Sequence, residues 1–303
     1  MIIDAHLHLW NKQHGMVNGK PVYDIGGGKS DFGGVIRQMM PAYMDDGCNN
    51  VERLIANMDF AQVNGAVVTQ EYIDGNQDEY LLECKAKYPD RIRICSLYEE
   101  NDNFRLNGFD GINICAGRLT KVKLGELSDL FGKAYEKYMF ISIDMADGDA
   151  QVGELQKLID EYPNLRIAIG HFGMVTVDGW QKQIELACNK NVYVESGGIT
   201  WLFNSEFYPY PSAVDAILEA KSICGMEKLM WGSDYPRTMT AITYRSDYPR
   251  TMTAITYRMS QDFITKSDKM TEADKKLFLG ENAKNFYRFA DMPEIPYTVH
   301  MAE

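Results

Sequence analysis

The sequence predicts an α/β protein of the (β/α)₈ TIM-barrel class, and two patterns within its 303 residues support this prediction. Short apolar runs rich in Val and Ile alternate with segments of helical period almost to the end of the chain. Several runs show no polar alternation, which is typical of parallel strands that are covered on both faces. Eight such units favour a barrel of about 250 residues with additions over a doubly wound sheet.

The predicted strands are the eight apolar runs at 2–6, 65–69, 92–97, 109–115, 139–144, 165–170, 191–195 and 229–232. Amphipathic segments between them predict helices at 50–64, 79–88, 124–138, 153–162, 178–189 and 212–224, and helices are also expected near the C-terminus. The N-terminus has no basic region and no cleavage site, so we expect no signal peptide and a first strand that begins at once.

The segment 10–49 is too long for an ordinary connection, and we interpret it as a functional loop that closes over a substrate. It contains Gly26-Gly27-Gly28-Lys29-Ser30, which superficially resembles a phosphate-binding loop. The earlier glycine that such a loop requires would fall at Tyr23, so the motif fails and a flexible lid is the preferred interpretation.

A tandem repeat interrupts the last part of the chain. Residues 233–245 read SDYPRTMTAITYR, and residues 246–258 repeat the same thirteen letters. Solenoid repeats are longer, and a barrel needs one copy of its final strand end. We therefore interpret Asp234 as the functional residue. Asp247 is its echo, the corresponding residue of the second copy, which is either an insertion by duplication or an artefact of the sequence record. Residues 1–303 are otherwise predicted to form one barrel domain.

Composition excludes several classes of function. The chain has 31 Lys and Arg against 43 Asp and Glu, a net charge of −12, which suits neither nucleic-acid phosphates nor an anionic membrane. It lacks an apolar stretch long enough to span a membrane. Six cysteines without a C-x-x-C pair predict reduced thiols, most of them buried, in a cytoplasmic protein. A homo-oligomer is compatible with the architecture, but no residue pattern identifies an interface.

Three of the five histidines and one aspartate follow predicted strands. His6 and His8 project to the same side of strand one, because residues i and i+2 of a strand share a face. His171 and Asp234 follow two later strands. The ends of barrel strands meet at one mouth, where barrel enzymes place their chemistry, so these four side chains predict a metal or catalytic site.

The same residues carry a resemblance to a known family. The segments IDAHLHLW (3–10), GHFG (170–173), GSDYP (232–236) and GENAKNFY (280–287) resemble, in this order, the amidohydrolase superfamily. The most similar branch is the amidohydrolase-related (family 2) proteins, which include TIM-barrel metal-dependent hydrolases, lactonases and decarboxylases. The resemblance extends from residue 2 to about residue 290.

The resemblance implies roles for the matching residues. His6 and His8 would hold a divalent metal, commonly zinc. His171 would be a third ligand or would orient a substrate oxygen, and Asp234 would contact the metal and shuttle a proton. Many relatives end strand five with a metal-binding His, where this chain has Asp144. A mixed His/Asp set suits several metals, manganese included, and some lactonases of this branch need none.

The substrate is a small molecule in this interpretation. Arg118 and Arg237 follow strand four and the Asp234 motif, and either could bind a substrate carboxylate or form a surface ion pair. Asn113, Glu195 and Trp201 lie near predicted strand ends and are expected to line the pocket.

Three functions remain open at this point. The first is hydrolysis of a lactone or similar cyclic ester of a carboxylated or sugar-derived compound, with water activated at the mouth. The second is metal-dependent, non-oxidative decarboxylation of an aromatic or dienoic acid. Those relatives often carry a Glu shortly after His171, where this chain has Met174-Val175, so this function ranks second. The third is a barrel that binds a ligand without catalysis.

Overall fold

Eight parallel strands form a barrel in the computed structural model, which describes residues 1–100, 104–206, 208–240, 255–290 and 292–295. Within these residues the strands are β1 (Ile3–His8), β2 (Gly15–Val17), β3 (Lys20–Gly26), β4 (Lys29–Phe32), β5 (Ile36–Gln38), β6 (Gly65–Thr69), β7 (Ile92–Leu97), β8 (Gly111–Ile114), β9 (Phe140–Ile143), β10 (Arg166–Ile169), β11 (Val192–Glu195) and β12 (Leu229–Met230). The barrel order is β1-β6-β7-β8-β9-β10-β11-β12, which confirms the predicted fold class and all eight predicted strands.

The barrel closes where the chain after β12 returns to β1. The backbone amide of Ala5 donates to the carbonyl of Trp231, and that of His8 to Tyr235, both at 2.9 Å. Between them the amide of Asp234 donates to His6 over 2.8 Å. Asp234 is therefore tied to the strand that carries both histidines, although 226 positions separate it from His8.

The helices that surround the barrel are α1 (Val51–Ala61), α2 (Asp78–Lys87), α3 (Ser128–Glu136), α4 (Val152–Glu161), α5 (Trp180–Glu185), α6 (Ile199–Leu202), α7 (Pro211–Cys224), α8 (Met259–Thr265), α9 (Glu272–Lys276) and α10 (Asn282–Tyr287). Helix α1 shows how local sequence sets their limits. Asn50 caps its N-terminus by accepting from the amide of Arg53, and Gln62 ends it in the left-handed region at φ 61°. Its buried face presents Leu54 and Met58 to the barrel.

The segment 10–49 differs from the expected loop. Much of it forms a four-stranded antiparallel sheet in the order β2-β3-β4-β5. Glycines in the left-handed region make its turns possible, among them Gly19 at φ 72° and Gly26 at φ 86°. The amide side chain of Asn49 donates to the carbonyl of His8 over 2.6 Å, so the end of the insertion is anchored at the C-terminal end of β1.

Parts of both copies of the repeat belong to the described structure, residues 233–240 of the first and 255–258 of the second. Asp234 belongs to the start of the first copy, and Tyr257, near the end of the second, leads into α8. Residues 241–254 lie outside the described residues, and the predicted echo Asp247 is among them. All six cysteines are free thiols, but only three of them are buried, fewer than predicted: Cys84, Cys95 and Cys115 are buried, Cys48 and Cys224 are partly exposed, and Cys188 is exposed. No helix in the described part of the chain is long and apolar enough for a membrane span.

Candidate metal centre and active-site cleft

His6 and His8 converge at the C-terminal end of β1. Their Nε2 atoms lie 3.2 Å apart, and both side chains are buried. The other ring nitrogen of His6, Nδ1, lies 2.7 Å from Oε1 of Glu195 at the end of β11. This pairing fixes the orientation of the ring and leaves Nε2 directed at the point where the two imidazoles meet.

Asp234 completes one group of potential ligands. Its Oδ1 lies 2.9 Å from Nε2 of His8, and its Oδ2 accepts a 2.7 Å hydrogen bond from the indole of Trp201. Burial opposes the charge of this carboxylate, but His8 and then Arg237 outweigh it, so the pKa of Asp234 falls well below its ordinary value. The side chain is therefore an acceptor at neutral pH.

Asp144 and His171 form the opposite side of the centre. Nδ1 of His171 lies 2.9 Å from the carbonyl of Gly197, which leaves Nε2 facing Asp144 at 3.7 Å. Both carboxylate oxygens of Asp144 are buried and lack a hydrogen-bond partner among the described residues. Burial raises the pKa of Asp144, and the nearby His171 and His6 counter that increase.

These donors fit a divalent cation. Two groups, His6–His8–Asp234 and His6–Asp144–His171, each bring their potential ligand atoms within 4.8 Å of one another, and they share His6. A buried carboxylate without partners is costly unless something pairs with it, and Asp144 faces two imidazoles across a small gap. Imidazole nitrogen and carboxylate oxygen together suit zinc, manganese and similar metals.

The charge of His6 depends on this centre. Burial disfavours its protonated form, but the carboxylates of Glu195, Asp144 and Asp234 prevail and raise the pKa of His6 to about 10. A metal ligand must be a neutral imidazole, so a cation and a proton compete for this nitrogen.

A cleft of about 790 Å³ opens above the centre. Among the predicted site residues, its walls include Asp144, His171, Trp201, Asp234, Arg118 and Arg237. His6, His8, Asn113 and Glu195 are not on these walls and are almost fully buried. Asn113, expected to line the pocket, donates to the carbonyl of Gln70 over 2.6 Å. Glu195, expected there too, contacts His6 and accepts from the amides of His171 and Gly197.

The two predicted arginines differ in how firmly they are held. Arg237 is nearly buried, with Nη2 2.6 Å from Asp74 and Nη1 3.7 Å from Glu71. Arg118 has a 41% exposed side chain, and its contact with Glu71 is 3.6 Å. Arg118 is thus free to reorient toward a ligand, whereas Arg237 helps to define the wall.

Three residues that contribute to this region were not predicted from the sequence. Glu71 lies just after β6 and contacts both arginines, so a closer examination of strand ends would have identified it. Arg37, in the inserted sheet, lines the cleft, and no local pattern pointed to it. Asp4 lies under the centre, where its carboxylate accepts from the amide of Ser233 and from the hydroxyl of Tyr257, both at 2.8 Å.

Comparisons with known proteins show the family and the fold of the chain. The family model described as "Amidohydrolase" matches residues 113–289. No curated protein matches the chain. A probable 2-pyrone-4,6-dicarboxylic acid hydrolase from Acinetobacter baumannii, solved with citric acid, superposes with a TM-score of 0.66 at 18% identity and covers 95% of this chain and 99% of its own.

Two further solved structures contain metal ions. An amidohydrolase from Burkholderia multivorans with bound zinc has a TM-score of 0.64 at 13% identity, covering 97% of this chain and 100% of its own. A dihydroxybenzoic acid decarboxylase from Polaromonas sp. JS666, with manganese and 2-nitroresorcinol, has a TM-score of 0.55 at 13% identity, covering 83% and 90%. At these identities the likeness concerns the fold. The family model spans more than half of the chain, from β8 to just beyond α10, and the protein therefore belongs to the amidohydrolase family.

Proposed function

We propose that this amidohydrolase opens the ring of a lactone or similar cyclic ester that is carboxylated or sugar-derived. The observation that carries the proposal is the position of the Asp234 carboxyl group, held by Trp201 beside His8 at the base of a cleft that also presents Arg118. The Acinetobacter baumannii relative, named for a dicarboxylic acid and solved with citric acid, supports a carboxylated substrate.

His6, His8, Asp234, Asp144 and His171 are the residues that would hold the divalent cation, zinc or manganese. When bound, such a cation supplies Lewis acidity, which acidifies water and polarises an ester carbonyl. Asp234 accepts a proton from the attacking water as its oxygen bonds to the ester carbon. The bond from that carbon to the ring oxygen then breaks, and Asp234 returns the proton to the departing alkoxide.

Two other groups orient the reactants. His171, on the cleft wall, directs Nε2 toward the space in front of Asp144 and can position the substrate oxygen. Arg118 lies at the exposed side of the same cleft, where its planar fork suits a substrate carboxylate. Trp201 holds Oδ2 of Asp234, so that Oδ1 faces His8 and the centre.

Decarboxylation is the second candidate, favoured by the fold shared with the manganese-containing decarboxylase. The same cation site would hold an aromatic acid. Asp234 would transfer a proton to the carbon that loses the carboxyl group. The two reactions release different products. Ring opening at neutral pH releases a proton without carbon dioxide, whereas decarboxylation releases carbon dioxide.

A substrate panel separates the candidates. Carboxylated and sugar lactones, together with hydroxybenzoates, would be assayed for acid release and for carbon dioxide. We expect acid release from a lactone, its loss in Asp234→Asn, and full activity in Asp215→Asn, which changes an exposed carboxylate on α7. Full activity of Asp234→Asn would rule out the proposed base, and carbon dioxide release alone would establish the decarboxylase.

We also propose a cytoplasmic location, which the six free thiols support.

A further inference from the structure

A second pocket lies at the opposite end of the barrel. Its volume is about 370 Å³, and its lining includes Arg93 of β7, Asp110 just before β8, and the first residues of β9 and β10, Phe140 and Arg166. These positions are strand beginnings, so the pocket opens on the N-terminal face, away from the catalytic mouth. Arg288, which follows α10, forms part of its wall.

The charge of this pocket is opposite to that of the protein. Within the part of the chain that the structure describes, five cationic side chains line it against a single carboxylate, in a chain with a net charge of −12. They are Lys85, Arg93, Lys137, Arg166 and Arg288. Asp110 is already paired with Lys85 at 2.9 Å. Among the described residues, the other four cations form no ion pair with a carboxylate.

The contacts of Arg93 and Arg166 are with carbonyl groups and aromatic rings. Arg166 donates to the carbonyls of Tyr138 and Phe286, and Arg93 donates to the carbonyl of Arg288 over 3.2 Å. The guanidinium of Arg93 lies 4.3 Å from the ring centre of Phe289. Such contacts orient the cations and relieve part of their desolvation, but they add no negative charge.

The clustering has an electrostatic cost. Burial, followed by repulsion from Arg288, lowers the pKa of Arg166 to about 10. Arg288 also occupies a left-handed position at φ 57°, just after α10, where glycine is the usual residue. A bound anion would offset the repulsion between these guanidinium groups.

We propose that this N-terminal pocket binds a small polyvalent anion, a phosphate-bearing or polycarboxylate molecule, at a site separate from the catalytic cleft. The volume lies at the lower end of the range of about 300–1,000 Å³ that small-molecule sites occupy. A single carboxylate would leave most of the cations unpaired, whereas several anionic oxygens could contact the guanidinium groups at once.

The test is calorimetric titration of the full-length protein with inorganic phosphate and, separately, with tricarballylate. We expect one saturable site that depends on the cations of this pocket, besides any binding of tricarballylate in the catalytic cleft, and the probe that binds this site more tightly identifies the anion class. Arg288→Gly removes a cation and suits the left-handed backbone, and Lys137→Gln removes a second, exposed one. Each should weaken binding about fivefold or more, since each deletes one charge-assisted contact.

Two controls locate the binding. Lys157→Gln removes an exposed lysine on α4, outside the pocket, and should leave the affinity unchanged. Arg118→Gln removes an exposed cation of the catalytic cleft and should leave the affinity of the N-terminal pocket unchanged, even where it weakens binding of tricarballylate in the cleft. Loss of binding only in Arg118→Gln would assign the anion to the catalytic cleft. Non-saturating binding, or equal weakening in Lys157→Gln and Lys137→Gln, would show a diffuse ion atmosphere and overturn the proposal.

Discussion

His6 and Glu195 form a fully buried pair in which Nδ1 of the imidazole lies 2.7 Å from Oε1 of the carboxylate. The pair links the first and seventh strands of the barrel directly beneath the candidate metal centre. Glu195 has no surface in the cleft, so we expect it to act on the candidate metal centre through His6. Carboxylates in this position fix the ring and increase the basicity of the ligating nitrogen.

Glu195→Gln should weaken metal binding by about 10- to 100-fold. The glutamine side chain can still hold the imidazole ring of His6, but it carries no negative charge to stabilise the bound cation. Competition with a chromophoric chelator measures this affinity directly. Glu185→Gln, which changes an exposed partner of Lys182 on α5, is the matched control. Equal affinities in the wild type and Glu195→Gln would show that this pair does not support the metal.

The purified protein should contain about one divalent cation per chain, because the two three-residue groups of potential ligands share His6. A His6→Ala/His8→Ala double variant should lose it, whereas His14→Ala, which changes an exposed loop residue, should retain it. Elemental analysis of protein prepared without chelator provides the measurement. If no metal is found even after reconstitution, a metal-independent lactonase becomes the better model, with Asp234 as base and the histidines polarising the carbonyl.

Arg118→Gln should raise KM for a carboxylated lactone by about 10- to 100-fold with little change in kcat. The guanidinium is half exposed and loosely paired, so its loss affects substrate binding more than the centre. Arg105→Gln removes a surface ion pair with Glu79 and should change neither constant. A fall in kcat with unchanged KM would instead assign Arg118 to the reacting groups.

Removal of one copy of the thirteen-residue repeat should preserve both the fold and the activity. Asp234 and Thr238 come from the start of the first copy, where Thr238 pairs with Thr200 at 2.7 Å, and the second copy supplies Tyr257 at its end. Deletion of either copy yields the same chain, which retains all of these residues. Thermal unfolding and turnover of the deletion variant test this, and a lost transition would mean that the duplicated stretch is structural.

The stability of the fold should depend on pH through Asp274, a residue that lies away from the cleft. It accepts from Lys221 at 2.9 Å and closes a capping box with Thr271 at the start of α9. The hydrogen bond from Lys221 lowers the pKa of Asp274 and is the largest effect on it. Burial raises this pKa, but by less. The folded state therefore gains stability from the ionised form above the ordinary value of 3.8, and this gain disappears as pH falls through the lower folded pKa.

Asp274→Asn should thus reduce the free energy of unfolding by about 1 kcal/mol at pH 7. The deficit relative to the wild type should shrink as the pH is lowered below 4, because both proteins then carry a neutral side chain. Urea unfolding at a series of pH values measures it, with Asp215→Asn as the exposed control. A deficit that is independent of pH would mean that shape, rather than charge, is responsible.

Strand positions and ligand types were accessible from the sequence because they depend on short-range patterns. Continuous apolar runs identified all eight barrel strands, and the spacing of His6 and His8 placed both on one face of β1. Asp234 and His171 followed from the rule that parallel strands end at one mouth. The inserted sheet was less accessible, because its strands are short, polar and paired through glycine turns.

The sequence alone determined the barrel class, the amidohydrolase resemblance and the residue types of the candidate metal centre. Only the tertiary structure decided which strand-end side chains face the cleft and which support it from below. Glu195 and Arg118 were indistinguishable as polar strand-end residues, yet one pairs with His6 and the other lines the cleft. The physical reason is separation along the chain: a contact between residues 6 and 195 depends on barrel closure, which no local pattern specifies.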